Sequence, residues 1–180
     1  MPATKRIVVF GASGFLGQAI CKKAIGRNWD VIGIRPPSSS LDSEIRDNVE
    51  WRQGDALDPQ TYRDILGSSD AVIHSIGAIM EKTNYKGWIN TGARGMPADS
   101  DEQQQQQQQQ QQDTFEKVNR DTALAIINTL IEAGNRKPFV FISAAAALPL
   151  INPRYIHTKR QVEAAMAAHS DNIIPLVFRP

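Results

Sequence analysis

The sequence predicts an α/β protein built on a doubly wound parallel sheet, and three observations carry that expectation. Short apolar runs, most of them continuous, alternate with amphipathic segments along the chain, as strands buried on both faces alternate with covering helices. A glycine-rich run, Gly11-Ala12-Ser13-Gly14-Phe15-Leu16-Gly17, follows directly on the first apolar run, Ile7-Val8-Val9-Phe10. The chain is 180 residues long and 41% hydrophobic, enough for one domain with a sizeable core.

The elements follow in order. Arg6–Phe10 reads as a buried strand and Phe15–Arg27 as a helix, with Leu16, Ile20 and Ala24 in i, i+4 register. Asp30–Ile34 is a second strand and Pro36-Pro37-Ser38-Ser39-Ser40 a loop. Val49–Gln53 is a third strand, ending in Gly54-Asp55. Asp58-Pro59 is a helix start, Asp capping and Pro in the first helical position, leading into Tyr62, Ile65 and Leu66. Ala71–Ile76 is a fourth strand, apolar except for His74 and Ser75.

From about Gly77 to Asp113 the pattern breaks. The glutamine run Gln103–Gln112, flanked by Asp101, Glu102 and Asp113, cannot bury apolar area. We read about 84–113 as a disordered low-complexity insertion in a single domain spanning 1–180. Phe115–Ala133 resumes as a long amphipathic helix closed by Gly134, and Phe139–Ile142 is a fifth strand. A further helix begins near Tyr155 and runs through Arg160–Ala168, and Ile173–Phe178 is a sixth strand.

Lys and Arg total 20 against 19 Asp and Glu, a net charge of +1, which points away from nucleic acid as a partner. The single cysteine, Cys21, excludes an internal disulfide and reads as a small buried hydrophobe. No apolar stretch is long enough for a transmembrane helix. The single cysteine makes a reducing interior compartment, the cytoplasm, the default from the residues alone; no leader is legible ahead of Arg6, which by itself does not establish the cytosol. The histidines show no metal-ligand spacing with Cys21 or a carboxylate pair, so no metal is expected.

Strand, glycine loop and helix in succession build a site for a dinucleotide pyrophosphate. Gly11 permits the tight turn out of the strand, Gly14 lets backbone approach phosphate, and Gly17 lets the helix pack closely. Ser13, Phe15 and Leu16 lie where the first helical amides face the anion. The spacing is G-x-x-G-x-x-G rather than G-x-G-x-x-G. The end of the second strand holds Arg35 where an NAD site carries a carboxylate for the ribose, so NADP(H) is favoured over NAD(H), with Arg35 pairing a 2′-phosphate. Asp55 reads either as an acceptor for the adenine amino group or as a turn residue. His74 reads either as a hydrogen-bonded strand-end residue or as a lining residue of the site.

Tyr155 and Lys159 stand four apart on one helical face, and Ser143 ends the fifth strand. A phenol with a pKa near 10 is a poor base at neutral pH. A neighbouring ammonium and a positive nicotinamide would lower it. Tyr155 could then exchange a proton with a substrate oxygen while Ser143 orients the substrate carbonyl and Lys159 reaches the nicotinamide ribose.

The glycine triplet, Asp55, Ser143 and the Tyr155/Lys159 pair resemble the short-chain dehydrogenase/reductase superfamily, with its NAD(P)-binding Rossmann fold, in the extended or atypical branch. Further residues narrow the resemblance: His74-Ser75-Ile76-Gly77, Glu81 with Asn84-Tyr85-Lys86, Phe141-Ile142-Ser143-Ala144, Pro149-Leu150-Ile151 and Lys159-Arg160 with Glu163. They are similar to those of fungal mitochondrial proteins of ubiquinone biosynthesis and of the nucleotide-binding accessory subunit of respiratory complex I. That resemblance implies a mitochondrial location, a nicotinamide dinucleotide and hydride transfer at a carbonyl or alcohol carbon. It also implies the alternative of a nucleotide-bound, non-catalytic subunit of an inner-membrane complex. In that superfamily Arg-Pro, here Arg179-Pro180, is followed by the substrate-binding part, so the chain reads as truncated at its C-terminus. Asn119 matches a position that supports the active site in relatives, and reads equally as a solvated helix residue.

Overall fold

The computed structural model describes residues 4–35, 41, 43–78, 114–145 and 152–180. The loop at 36–40, the glutamine run and residues 149–151 lie outside them.

Six strands form one parallel sheet: β1 (Arg6–Phe10), β2 (Asp30–Arg35), β3 (Glu50–Gln53), β4 (Ala71–His74), β5 (Pro138–Ile142) and β6 (Ile174–Phe178). Their order is β3-β2-β1-β4-β5-β6. Helix α1 (Phe15–Ile25) follows β1, α2 (Ser43–Asn48) follows β2, and α3 (Arg63–Gly67), preceded by a 3₁₀ turn at Pro59–Thr61, follows β3. Helix α4 (Thr122–Glu132) precedes β5 and α5 (Pro153–Ala168) precedes β6.

Alternation within β1 shows why the sheet needs helices on both faces. Val8 and Phe10 enter a core with Tyr62, Ile126, Phe139, Phe141 and Val162, on the side of α3, α4 and α5. Ile7 and Val9 enter a second core with Cys21, Ala24, Val31 and Ile45, on the side of α1 and α2. A two-residue period divides the apolar side chains between two layers, each shielded by its own helices.

Several expectations shift. The fourth strand stops at His74: Ser75 still gives its amide and its hydroxyl to the Phe10 carbonyl, at 2.9 and 2.8 Å, but β1 turns away at Gly11, with φ +82°, and offers no further rung. The first helix ends at Ile25 rather than Arg27. Helix α2 was not anticipated: six residues with Ile45 as their one buried side chain carry too little periodicity to be read. β3 is not an apolar run but Glu-Trp-Arg-Gln, exposed except for the half-buried Trp51, on the outer edge of the sheet. β6 forms the other edge and leaves Ile174, Leu176, Val177 and Phe178 exposed.

The long helix expected from Phe115 begins as a π-helical turn at Glu116–Asp121 before settling into α4. The Thr122 hydroxyl donates to the Val118 carbonyl at 2.7 Å, within that widened segment. Such turns recur at functional sites because the extra residue re-aims side chains.

Candidate functional site

β1 pairs with β2 on one side and β4 on the other, so the order reverses between β1 and β4 and opens a crevice at their carboxyl ends. The glycine loop sits at that point. Gly11 has φ +82°, and a Cβ there would lie 2.9 Å from the Ile76 amide nitrogen. The Gly14 amide donates to the Gly11 carbonyl at 2.9 Å, and the Gly14 carbonyl accepts from the Gln18 amide at 2.9 Å. Gly14 therefore caps α1, and the amides of Phe15, Leu16 and Gly17 have no intrahelical acceptor. A Cβ on Gly17 would lie 2.0 Å from the Gly11 carbonyl oxygen, so only glycine lets the helix start this close to the strand. No acidic side chain occupies the first turn of α1. Phe15 is 96% exposed.

A cavity of about 570 Å³ opens beside this loop. Gly11 and Ser13 form one wall, Asp55 to Leu57 a second, and Lys117, Val118 and Thr122 a third. Asp55 is a turn residue here, its Oδ1 accepting from the Leu57 amide at 2.9 Å, and it also lines the cavity. Arg35 is the last residue of β2, in register with Gln53. The positive φ, the close loop and amides without intrahelical acceptors have the chemistry to take a dinucleotide pyrophosphate, and Gly11, Ser13, Gly14, Phe15, Leu16 and Gly17 are the residues that would face it.

The second cluster lies where β4 and β5 end. Tyr155 and Lys159 are both buried on α5, with the ammonium 5.9 Å from the Tyr155 ring centre and 4.7 Å from that of Phe141. Lys159 Nζ donates to the Ile142 carbonyl at 3.0 Å. Burial pulls its pKa down to about 8, so it is mainly charged at neutral pH. The phenol departs from expectation: burial pushes Tyr155 up, not down, and Lys159, whose ammonium donates to the Ile142 carbonyl, does not offset that desolvation. Ser143 departs too. Its hydroxyl donates to Glu163 Oε1 at 2.5 Å, so its proton is committed to a carboxylate rather than offered to a carbonyl.

The sequence resemblance includes Glu163 but gives it no role, and its spacing holds the signal: Tyr155, Lys159 and Glu163 recur every fourth residue on one helix face. Besides Ser143 it accepts from Arg160 and from Arg179, the latter at 3.0 and 2.5 Å. Arg179 first, then Ser143 and the Arg160 charge, holds the carboxyl down to about 2 against an ordinary 4.5. A depressed carboxylate stabilises the fold above its unfolded pKa and loses that contribution as pH falls toward its folded one. The stability advantage of the wild type over Glu163→Gln is therefore expected to shrink below about pH 4.5, checked by unfolding free energies of both at pH 7 and pH 3.

Two further residues tie the clusters together. Asn119, in the π turn, is fully buried rather than solvated. Its Oδ1 accepts from the Ala78 amide at 3.0 Å and its Nδ2 donates to the Ala78 carbonyl at 3.1 Å. A Cβ on Gly77 would lie 3.2 Å from Asn119 Oδ1 and 3.3 Å from Lys159 Nζ, so the three converge. His74 is a hydrogen-bonded strand-end residue, its Nε2 2.9 Å from Thr122 Oγ1. Thr122 gives its own proton to Val118, so His74 must donate from Nε2, and its buried Nδ1 has no hydrogen-bond partner among the described residues. Among the described residues no group could hold a metal ion, and no helix is long and apolar enough to cross a membrane.

A six-stranded parallel sheet in this order, flanked by helices and with a glycine loop at its switch point, is a Rossmann-like α/β fold. Residues 7–92 match the model of the NAD dependent epimerase/dehydratase family. The fold is similar to UDP-glucose 4-epimerase from Thermotoga maritima, solved with UDP-glucose (TM-score 0.67, 17% identity, 97% of this chain and 54% of that one). It is also similar to the Thermus thermophilus enzyme solved with NAD (TM-score 0.66, 16% identity, 97% and 54%). The chain thus spans about half the length of these solved relatives. In sequence it is similar to MIOREX complex component 2 of Saccharomyces cerevisiae, 27% identical over 97% of this chain and 71% of that protein.

Proposed function

We propose that this chain binds a nicotinamide dinucleotide on the glycine loop and belongs to mitochondrial ubiquinone biosynthesis, acting at a carbonyl or alcohol carbon. The observation that carries the binding half is the Gly11–Gly17 approach, which a side chain would block. The mitochondrial half rests on the resemblance of His74–Gly77, Phe141–Ala144 and Tyr155–Glu163, and on the similarity to a MIOREX component. Relatives solved with NAD favour that cofactor, whereas Arg35 at the end of β2 favours NADP(H). Thermal shifts with NAD⁺, NADH, NADP⁺ and NADPH at equal concentration separate the two. A ligand present at a hundredfold over its Kd adds about 2.7 kcal/mol.

When bound, the dinucleotide supplies or accepts the hydride. Tyr155 exchanges the proton at the substrate oxygen. With its phenol pushed up by burial it is held protonated, which suits it to give a proton to a carbonyl oxygen rather than to take one from an alcohol. Lys159, fixed on the Ile142 carbonyl, keeps a positive charge beside the ring. Ser143, engaged by Glu163, positions that edge of the site.

The same engagement favours a second reading, a nucleotide-bound assembly subunit of an inner-membrane complex, and the relative's name as a complex component agrees with it. Tyr155→Phe decides. Under the catalytic reading the variant keeps its dinucleotide thermal shift and loses the pathway's product at least a hundredfold in a complemented null strain. Full complementation by the variant would leave the assembly reading alone.

A further inference from the structure

We propose that Lys117 is the cationic clamp for the pyrophosphate of the bound dinucleotide, an inference that rests on the dinucleotide reading above and names a residue in it. The glycine loop offers amides and a helix terminus, but from Gly11 to Gln18 it carries no basic side chain. Helix amides compensate only about half an elementary charge, and a pyrophosphate brings more. Among the described residues lining the cavity, Lys117 is the one cation, on the wall formed by the π turn. The one carboxylate there, Asp55, already serves its own turn through Oδ1.

The turn is pinned so that this lysine keeps its place. Asn119, two residues on, is locked to both backbone groups of Ala78. Thr122, at the junction with α4, bonds Val118 and His74. On the other side the Lys117 amide donates to Thr114 Oγ1 at 3.3 Å. A widened turn with both flanks anchored holds the Lys117 backbone over the cavity, while its flexible stem leaves the ammonium free to follow the anion.

The test is calorimetric titration of wild type, Lys117→Met and Lys117→Arg with NADH, ADP and adenosine, at low and high salt, after each variant's melting curve confirms folding. Lys117→Met is expected to raise Kd for NADH and for ADP about tenfold, the loss of one charge-assisted contact. Adenosine, which has no phosphate, should change less than twofold, and Lys117→Arg should stay within threefold of wild type. The salt dependence of ADP binding should also flatten in the Met variant. An unchanged Kd for ADP, or an equal loss for adenosine, overturns the clamp while leaving the dinucleotide reading intact. Failure of wild type to bind NADH and ADP overturns both.

Discussion

Gly17→Ala is expected to abolish dinucleotide binding and to destabilise the fold by about 3 kcal/mol, at the upper end of the cost of overpacking. The new methyl would sit 2.0 Å from the Gly11 carbonyl oxygen and 2.8 Å from the Ala12 Cα. Both are backbone atoms, held by β1 at the centre of the sheet, so neither can rotate away. Helix α1 has to withdraw instead, which removes the amides of Phe15, Leu16 and Gly17 from the anion position and opens the core around Cys21 and Ala24. Urea unfolding and thermal shift with NADH measure the two losses separately. Gly67→Ala is the control: a Cβ there meets nothing within 4 Å, so its stability should change by less than about 1 kcal/mol. An alanine at 17 that still gave a wild-type NADH shift would remove the glycine loop from the site.

The second large effect is acid sensitivity centred on His74. Burial, and next the Lys159 charge, pulls its pKa from 6.5 to about 3. Between those values the unfolded chain binds a proton that the folded chain refuses, so stability falls as pH falls, by ~1.4 kcal/mol per unit. From pH 6.5 to pH 5 the loss should be about 1.6 kcal/mol, a sizeable part of a typical fold's margin. His74→Gln keeps a donor for Thr122 without a titrating ring, and its stability should be flatter across this window. Parallel profiles for the two proteins would show that His74 does not carry the effect.

Much of the architecture was legible because its causes are local. The runs at Ile7–Phe10 and Phe139–Ile142 are apolar without a break, since a strand covered on both faces has no polar side. Gly11, Gly14 and Gly17 announced the turn and the helix behind it because backbone sterics admit little else. Helix α2 was invisible for the converse reason: one buried residue, Ile45, makes no pattern. The π turn was also hidden, since Glu116–Asp121 lies within an ordinary amphipathic period and the widening depends on what Asn119 and Thr122 bond across the chain.

The candidate site divides along the same line. Tyr155 and Lys159 share a face because four residues make roughly one helical turn, so their pairing is written in the spacing. The state of each group is not. Tyr155 is pushed up rather than down because the fold buries it, with Phe115 against its ring, while Lys159 donates to the Ile142 carbonyl. Ser143 gives its proton to Glu163 because Arg160 and Arg179 keep that carboxylate ionised beside it. By itself the sequence determined the sheet, the glycine turn that leads into α1 and the pairing of Tyr155 with Lys159 on one helix face, because periodicity and backbone sterics act within a few residues. Only the tertiary structure decided how His74, Asn119, Ser143, Tyr155 and Glu163 spend their protons and lone pairs, because desolvation and hydrogen bonding depend on neighbours far away in the chain.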